Sequence, residues 1–111
     1  MDERGRILEA LWEEVIDAPL TERWIDNAIA AASDSSREPF ADAALAVRRL
    51  VAMGASRRDL SLILRHGKYE AVFSVLSCIS EDLAPDFRGL HESLLSADPS
   101  GLEGRRAPEK A

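Results

Sequence analysis

A block of basic side chains in the middle of the chain has the clearest capacity for chemistry. Residues 48–68, the basic block, carry six basic residues and one acidic residue, a balance of +5, whereas residues 1–47 carry −7 and residues 69–111 carry −4. A cationic island between acidic flanks attracts anionic groups, either the phosphates of a nucleic acid or the carboxylates of a protein. The candidate partner-binding residues in this block are Arg57, Arg58, Ser61, Arg65, His66 and Lys68.

Residues 47–65, VRRLVAMGASRRDLSLILR, resemble a helix-turn-helix motif with its turn at Gly54. The motif has a small residue at the position of Leu50 and an apolar one at the position of Arg49. The resemblance implies a nucleic-acid-binding regulator whose second helix enters a major groove. It assigns packing positions to Met53, Leu60 and Ile63, and outward positions to Ser56, Arg57, Arg58, Ser61 and Arg65.

Three interpretations of the basic block are open. The arginines at the start of a helix could form only a solvated face, since nearby carboxylates offset their unfavourable interaction with the helix dipole. The block could instead dock on an acidic surface, either of another protein or of a second copy of this chain. The third interpretation is nucleic-acid binding. Because the residues outside the block carry −11 and repel a polyanion, a protein partner is favoured over nucleic acid.

Acidic residues cluster near the N-terminus. Glu13, Glu14 and Asp17, followed by Glu22 and Asp26, resemble the acidic helices of all-α nucleotide pyrophosphatases, which hold magnesium between two helices. Such a site needs carboxylates that face inward from both helices. Here Glu13 and Asp17 lie opposite the apolar residues of their helix, and a second acidic motif is missing. We therefore interpret these carboxylates as a solvated face and predict no metal site.

The remaining reactive side chains do not form a recognisable catalytic pattern. His66 and His91 are separated by 25 positions, and no second cysteine accompanies Cys78, so metal-ligand spacing is missing. Cys78 lies in an apolar stretch and is predicted to be a small buried core residue. The sequence contains neither a phosphate-binding glycine loop nor a nucleophile elbow. We predict that the protein is not an enzyme and uses no cofactor.

Helical periodicity supplies the elements that position these residues. The first helix has Trp12 on its apolar stripe and ends near Pro19, and Thr21 is a good N-cap for the second. Trp24 lies on the apolar stripe of the second helix, which ends in the polar loop at residues 33–38.

Two further helices frame the basic block. The third is predicted to start with Pro39 in its first turn and to stop at Gly54. Ser56 and Asp59 imitate a capping box for the fourth. Gly67 either breaks or kinks that helix, and a break is favoured because the apolar period restarts at Tyr69.

The C-terminal third predicts contact surfaces and a tail. Small residues form a strip, which consists of Ser74, Ser77 and Cys78 together with Glu81. Leu62, Val75 and Leu95 lie off the main stripes and are predicted to be exposed or at an interface. A last short helix runs from Phe87 to Leu95, separated by Pro85. Residues 98–111 have no period and are predicted to be a flexible tail.

The composition of the chain indicates its overall class. The chain has 111 residues, 46% hydrophobic and 31% charged, with a net charge of −6, which is typical of one globular domain. We predict an all-α, compact bundle of five to six short helices, with a single domain over residues 1–97 and a disordered C-terminal tail over 98–111. No apolar run is long enough to cross a membrane, and a soluble, cytoplasmic protein is expected. The predicted function is binding of a protein partner or self-association, as an adaptor, inhibitor or immunity-type protein.

Overall fold

The computed structural model describes residues 2–32, 39–79 and 89–106. In this part of the chain every regular element is helical, which confirms the predicted all-α class. No helix within these residues is long and apolar enough to cross a membrane. The α-helices are α1 (Glu3–Leu11), α2 (Arg23–Ala31), α3 (Ala41–Ala52), α4 (Arg57–Ile79) and α5 (Leu102–Arg106).

Shorter turns connect these helices. A π-helical turn, Trp12–Ile16, continues α1, and a 3₁₀ turn, Ala18–Thr21, precedes α2. Two further 3₁₀ turns, Leu90–Ser93 and Leu95–Ala97, occupy the described part of the predicted last helix. Its predicted start at Phe87 lies outside the described residues.

Contacts divide the chain into two units. The first unit comprises Met1–Ala18 together with His66–Ala111, and the second unit comprises Pro19–Arg65. Helix α4 contributes residues to both. Each unit is described separately below, and the single domain over residues 1–97 stays a prediction.

The first unit has an apolar core. Trp12 is fully buried, and its indole Nε1 donates a hydrogen bond of 2.9 Å to the carbonyl oxygen of Leu94. This bond satisfies the one polar atom that the ring would otherwise bury unpaired. The core side chains are Leu8, Trp12, Ile16, Leu76, Leu90 and Leu94.

Aromatic rings extend this core along α4. Tyr69 lies between Trp12 and Phe73, with ring centroids 6.0 Å and 6.2 Å away, and Phe73 meets His91 edge to face at 5.3 Å. His91 is half-buried. Its Nδ1 atom is buried without a hydrogen-bond partner among the described residues.

The second unit has few fully buried side chains. Helix α2 packs against α3, and Ile25 is buried on α2. Helix α3 lies wholly within the described residues and buries none of its side chains. Trp24 is half-buried, and its Nε1 donates a hydrogen bond of 2.9 Å to the hydroxyl of Ser61 on α4. A polar contact therefore joins α2 to α4 inside this unit.

The connection between α3 and α4 agrees with the prediction from the sequence. Gly54 has φ +92°, a conformation that favours glycine. The amide of Gly54 donates to the carbonyl of Val51 and the amide of Ala55 to that of Leu50, both at 3.0 Å, which is a Schellman motif. The Ser56 hydroxyl accepts from the amide of Asp59 at 3.1 Å, as an N-cap should. The predicted stop and cap are therefore confirmed.

Helix α4 continues through Gly67, so the favoured break at this residue is wrong. A glycine inside a helix costs only about 1 kcal/mol relative to alanine. The residues on both sides are helix formers and continue the backbone hydrogen bonds, which outweighs this cost. The helix has 23 residues and is therefore longer than the short elements that were expected.

Two helix starts differ from the sequence expectation. Glu22, not Thr21, occupies the N-cap of α2, and Phe40 occupies the N-cap of α3, which begins two residues after Pro39. Both N-caps are left-handed, with φ +64° for Glu22 and +65° for Phe40. Neither cap side chain accepts a hydrogen bond from its helix.

The predicted tail contains α5 and the turn that precedes it, within residues 98–106. Asp98 is buried, and its carboxylate accepts hydrogen bonds from the amides of Ser100 and Glu103, both at 3.0 Å. These bonds hold the turn that leads into α5. Helix α5 packs against the turn Leu95–Ala97, where a side chain at Gly104 would meet backbone atoms at 3.4 Å. Residues 107–111 of the predicted tail lie outside the described residues.

Candidate protein-interaction surfaces

The basic block does not form one outward face. Arg57 turns toward α2 within the second unit, where its Nε lies 3.2 Å from Oε1 of Glu22 and its Nη2 lies 3.0 Å from Oδ1 of Asp26. Nη2 also donates to the carbonyl oxygen of Glu22 at 3.3 Å. The hydrogen bond to Asp26, followed by that to Glu22, raises the pKa of Arg57 above its ordinary value. Arg57 therefore fastens α4 to the left-handed start of α2.

Ser61 is buried, which makes its predicted outward position wrong. It lies one helical turn after Arg57 and accepts the hydrogen bond from Trp24. The two side chains share the face of α4 that meets α2, because residues four apart lie above one another on a helix. This contact with α2 determines which side of α4 faces inward.

The other predicted binding residues are spread around α4. Arg58 is exposed, whereas Arg65 and Lys68 are half-buried. His66 is exposed, and its Nε2 lies 3.1 Å from Oε1 of Glu70 on the next turn. The structure therefore brings Arg57 and Ser61 together on an inward face and leaves Arg58 facing solvent.

Two of the three packing positions of the helix-turn-helix frame are also wrong. Met53 and Ile63 were expected to pack, but 82% of Met53 and 69% of Ile63 is exposed. Leu60 is half-buried. The connectivity of two helices and a tight turn is present, but the faces of the second helix differ from those of a recognition helix.

An apolar groove lies on the second unit between α2 and α3. Its volume is about 660 Å³. Phe40, 87% exposed, stands at this groove. Asn27 is the one polar residue among the described residues that line it. The side chains that line the walls include Trp24, Ala28, Ala31, Phe40, Val47 and Leu64. The sequence does not reveal this groove, because five of its eleven described lining residues are alanine, which gives a weak periodic signal.

A second apolar surface lies on the first unit, along α4. Val75 is 57% exposed, and Ile79, Ala71, Ser74 and Cys78 are also exposed. We call these five residues the charge-free face. The predicted exposure of Val75 is confirmed, as is that of Leu62, whereas Leu95 is half-buried. Glu81 of the predicted strip lies outside the described residues.

Cys78 is exposed, so the prediction of a buried core cysteine is wrong. The core of the first unit uses a neighbouring side of α4, where Val72, Phe73 and Leu76 pack. A shallow apolar groove of about 200 Å³ runs beside the charge-free face. It is lined by Leu11, Ala71, Val72, Val75 and Leu76.

The acidic residues do not assemble a metal site in the described part of the chain, where no group of three metal-ligating side chains converges. Glu13 and Glu14 are exposed, in agreement with a solvated face, whereas Asp17 is half-buried. Glu22 and Asp26 bind Arg57 instead.

Comparison of the chain with protein-family models, with curated protein sequences and with solved structures gave no significant match.

Proposed function

We propose that this chain is a non-enzymatic protein-interaction module whose second unit binds a partner protein. The observation that carries the proposal is the open core of this unit, where α3 buries none of its side chains. A helix in a globular unit normally buries an apolar stripe. Helix α3 has such residues in Leu45, Val47 and Val51, yet each remains only half-buried. A partner that covers α3 would complete this core.

Phe40 supports the same proposal. A bulky residue in the left-handed region costs about 1 to 2 kcal/mol, and an exposed aromatic ring gains no hydrophobic free energy. Neither property stabilises the isolated chain. Because the ring stands at the apolar groove, it is suitably placed to pack against a side chain that enters the groove.

The apolar lining of the groove favours an amphipathic helix as the partner element. Such a helix buries its apolar residues in a groove while its polar face stays in water. Arg58 is exposed on the same unit and is available to a carboxylate of the partner, since arginine is enriched in protein interfaces. An adaptor, an inhibitor and an immunity-type protein would all use such a surface. We also propose that the protein acts in the cytoplasm.

The alternative function is a helix-turn-helix regulator that uses residues 47–65. The Schellman turn at Gly54 and the exposed Arg58 favour it. Two findings weigh against it. Ser61 is buried and Arg57 is held by two carboxylates of the same unit, so two of the five outward positions are not free to contact DNA. The net charge of −6 adds repulsion from a polyanion.

Site-specific photo-crosslinking in the native host tests the proposal. A photoreactive phenylalanine at position 40 should give one discrete protein adduct, whereas the same group at the exposed Glu14 of the first unit should not. The captured protein is then purified and its affinity measured.

A matched pair of variants locates the binding site. Ala30 and Ala31 are adjacent and exposed on α2, but only Ala31 lines the groove. Ala31→Trp should weaken binding of the captured protein by about tenfold or more, which corresponds to about 1.4 kcal/mol, and Ala30→Trp should leave it unchanged. Equal effects of the two variants would contradict the proposal. Salt-sensitive binding to duplex DNA that Arg58→Ala abolishes would establish the regulator instead.

A further inference from the structure

We infer that the charge-free face of α4 is the contact surface for a second copy of this chain. The inference rests on the proposed function in one respect, namely that the chain acts by binding proteins. It concerns the first unit and therefore a surface separate from the apolar groove of the second.

Exposure and composition single out this surface. Residues 71–80, AVFSVLSCIS, are the longest run of the sequence without a charged residue. In the structure this run is only partly buried, because Val75 and Ile79 are exposed together with Ala71, Ser74 and Cys78. Exposed helix surface in a chain with 31% charged residues usually carries charges. A surface without them is typical of an interface core, where charged residues are depleted.

Charge identifies the occupant. A strongly basic or acidic partner would find no opposite charge on this face. A second copy presents the same neutral residues, and two chains that each carry −6 repel one another least where no carboxylates are opposed. The same patch on both subunits gives a two-fold, self-complementary contact, which closes as a dimer.

The side chains suit close approach of two helices. Ala71, Ser74 and Cys78 are small and recur at helical spacing, so a second helix can lie near the backbone of α4. The groove beside them, whose described lining is apolar, can accept an exposed aliphatic side chain such as Ile79 from the other copy. Because the face covers fewer than three turns of one helix, the interface belongs to the small, weak class below about 1,200 Å². We therefore expect a concentration-dependent dimer.

The test compares two variants of the same helix in the full chain. Val75→Glu places an unpaired carboxylate in the contact, whereas Ile63→Glu places the same charge at a somewhat more exposed site in the second unit. Sedimentation velocity over a wide range of protein concentration should show dimer for the wild type and for Ile63→Glu. Val75→Glu should weaken the dimer by about tenfold or more. A wild type that stays monomeric, or equal weakening by both variants, would overturn the inference.

Labelling of Cys78 gives a measurement that needs no substitution. As the dimer forms, a bulky maleimide should react more slowly with the thiol, so the rate should fall as protein concentration rises. A rate independent of concentration would contradict the inference. Failure of the proposed function would appear differently, as loss of the protein adduct at position 40. If only the dimer is absent, that adduct still forms and Ala31→Trp still weakens binding of the captured protein.

Discussion

Among the described residues, the first unit buries six large apolar side chains, whereas the second buries only Ile25 and Pro19 of its apolar residues. In the first, Trp12 is enclosed and its N–H bonds to a backbone carbonyl. In the second, Trp24 is half-buried and its N–H bonds to the hydroxyl of Ser61. The same residue type therefore anchors a sealed core in one unit and an open, polar contact in the other.

This difference indicates where stability and binding are located. Burial of a large apolar side chain is worth about 1.5 to 3 kcal/mol, so the first unit has most of the hydrophobic stabilisation. The second unit depends on polar contacts made by Arg57 and Ser61, and it exposes Phe40, Met53 and Ile63. A partner that binds only the folded form of this unit would stabilise it by mass action.

The largest effect should come from the sealed core. Trp12→Ala should cost about 3 to 5 kcal/mol, because it removes a fully buried ring and leaves a cavity. Trp24→Ala should cost less, since its ring is half-buried. The free energy of unfolding from urea titration, followed by circular dichroism, measures both. A loss at Trp24 equal to that at Trp12 would show that the two units are not built differently.

Alanine substitutions at two glycines, one in each unit, should have opposite effects on stability. Gly54→Ala should destabilise the second unit by about 1 to 2 kcal/mol, because its φ of +92° is unfavourable for alanine. Gly67→Ala, in the first unit, should stabilise the chain by about 0.5 to 1 kcal/mol, because a β-carbon there meets no atom within 4 Å. Melting temperatures of both variants test the pair. Destabilisation by Gly67→Ala would mean that α4 bends at this residue in solution.

The polar contact of the second unit should have a smaller effect. Ser61→Ala leaves the Trp24 N–H without its acceptor and should cost about 1 kcal/mol, because water can reach the half-buried ring. Fluorescence of Trp24, measured with Trp12→Phe as background, reports this unit alone. An emission spectrum and urea midpoint unchanged by Ser61→Ala would show that the hydrogen bond does not hold α2 to α4.

The smallest effect concerns pH. Burial, followed by the charge of Glu70, raises the pKa of Tyr69 above its ordinary value of 10.0. The folded state therefore favours the neutral phenol, so this contribution to stability is complete below pH 10 and is lost as pH rises through the folded-state pKa. Tyr69 is the only tyrosine, so absorbance titration in native and denaturing buffer measures the shift directly. Identical titration curves in the two buffers would contradict it.

Local signals in the sequence correctly predicted the connection around Gly54. A left-handed glycine and an N-capping serine act through the backbone within a few residues, so the stop of α3 and the cap of α4 could be recognised. Trp12 was likewise correctly assigned to a core. These are interactions that short-range periodicity and capping preferences describe.

The inward face of α4 could not be predicted in the same way. Leu60, Leu62, Ile63 and Leu64 point in all directions around the helix, so the apolar pattern does not select one side. The choice depends on two contacts with α2 that are more than 30 residues away in sequence, those of Arg57 with Asp26 and of Ser61 with Trp24. Polar pairs at such separation have no local signature.

Phe40 has a consequence for how this protein would respond to selection. Its left-handed backbone reduces the stability of the isolated chain and its exposed ring adds none, so Phe40→Gly should be among the first substitutions recovered in a selection for heat resistance. The same substitution removes the aromatic ring at the groove. Under the proposed function, laboratory evolution toward thermostability alone would therefore erode partner binding, and selection for both properties would retain the phenylalanine.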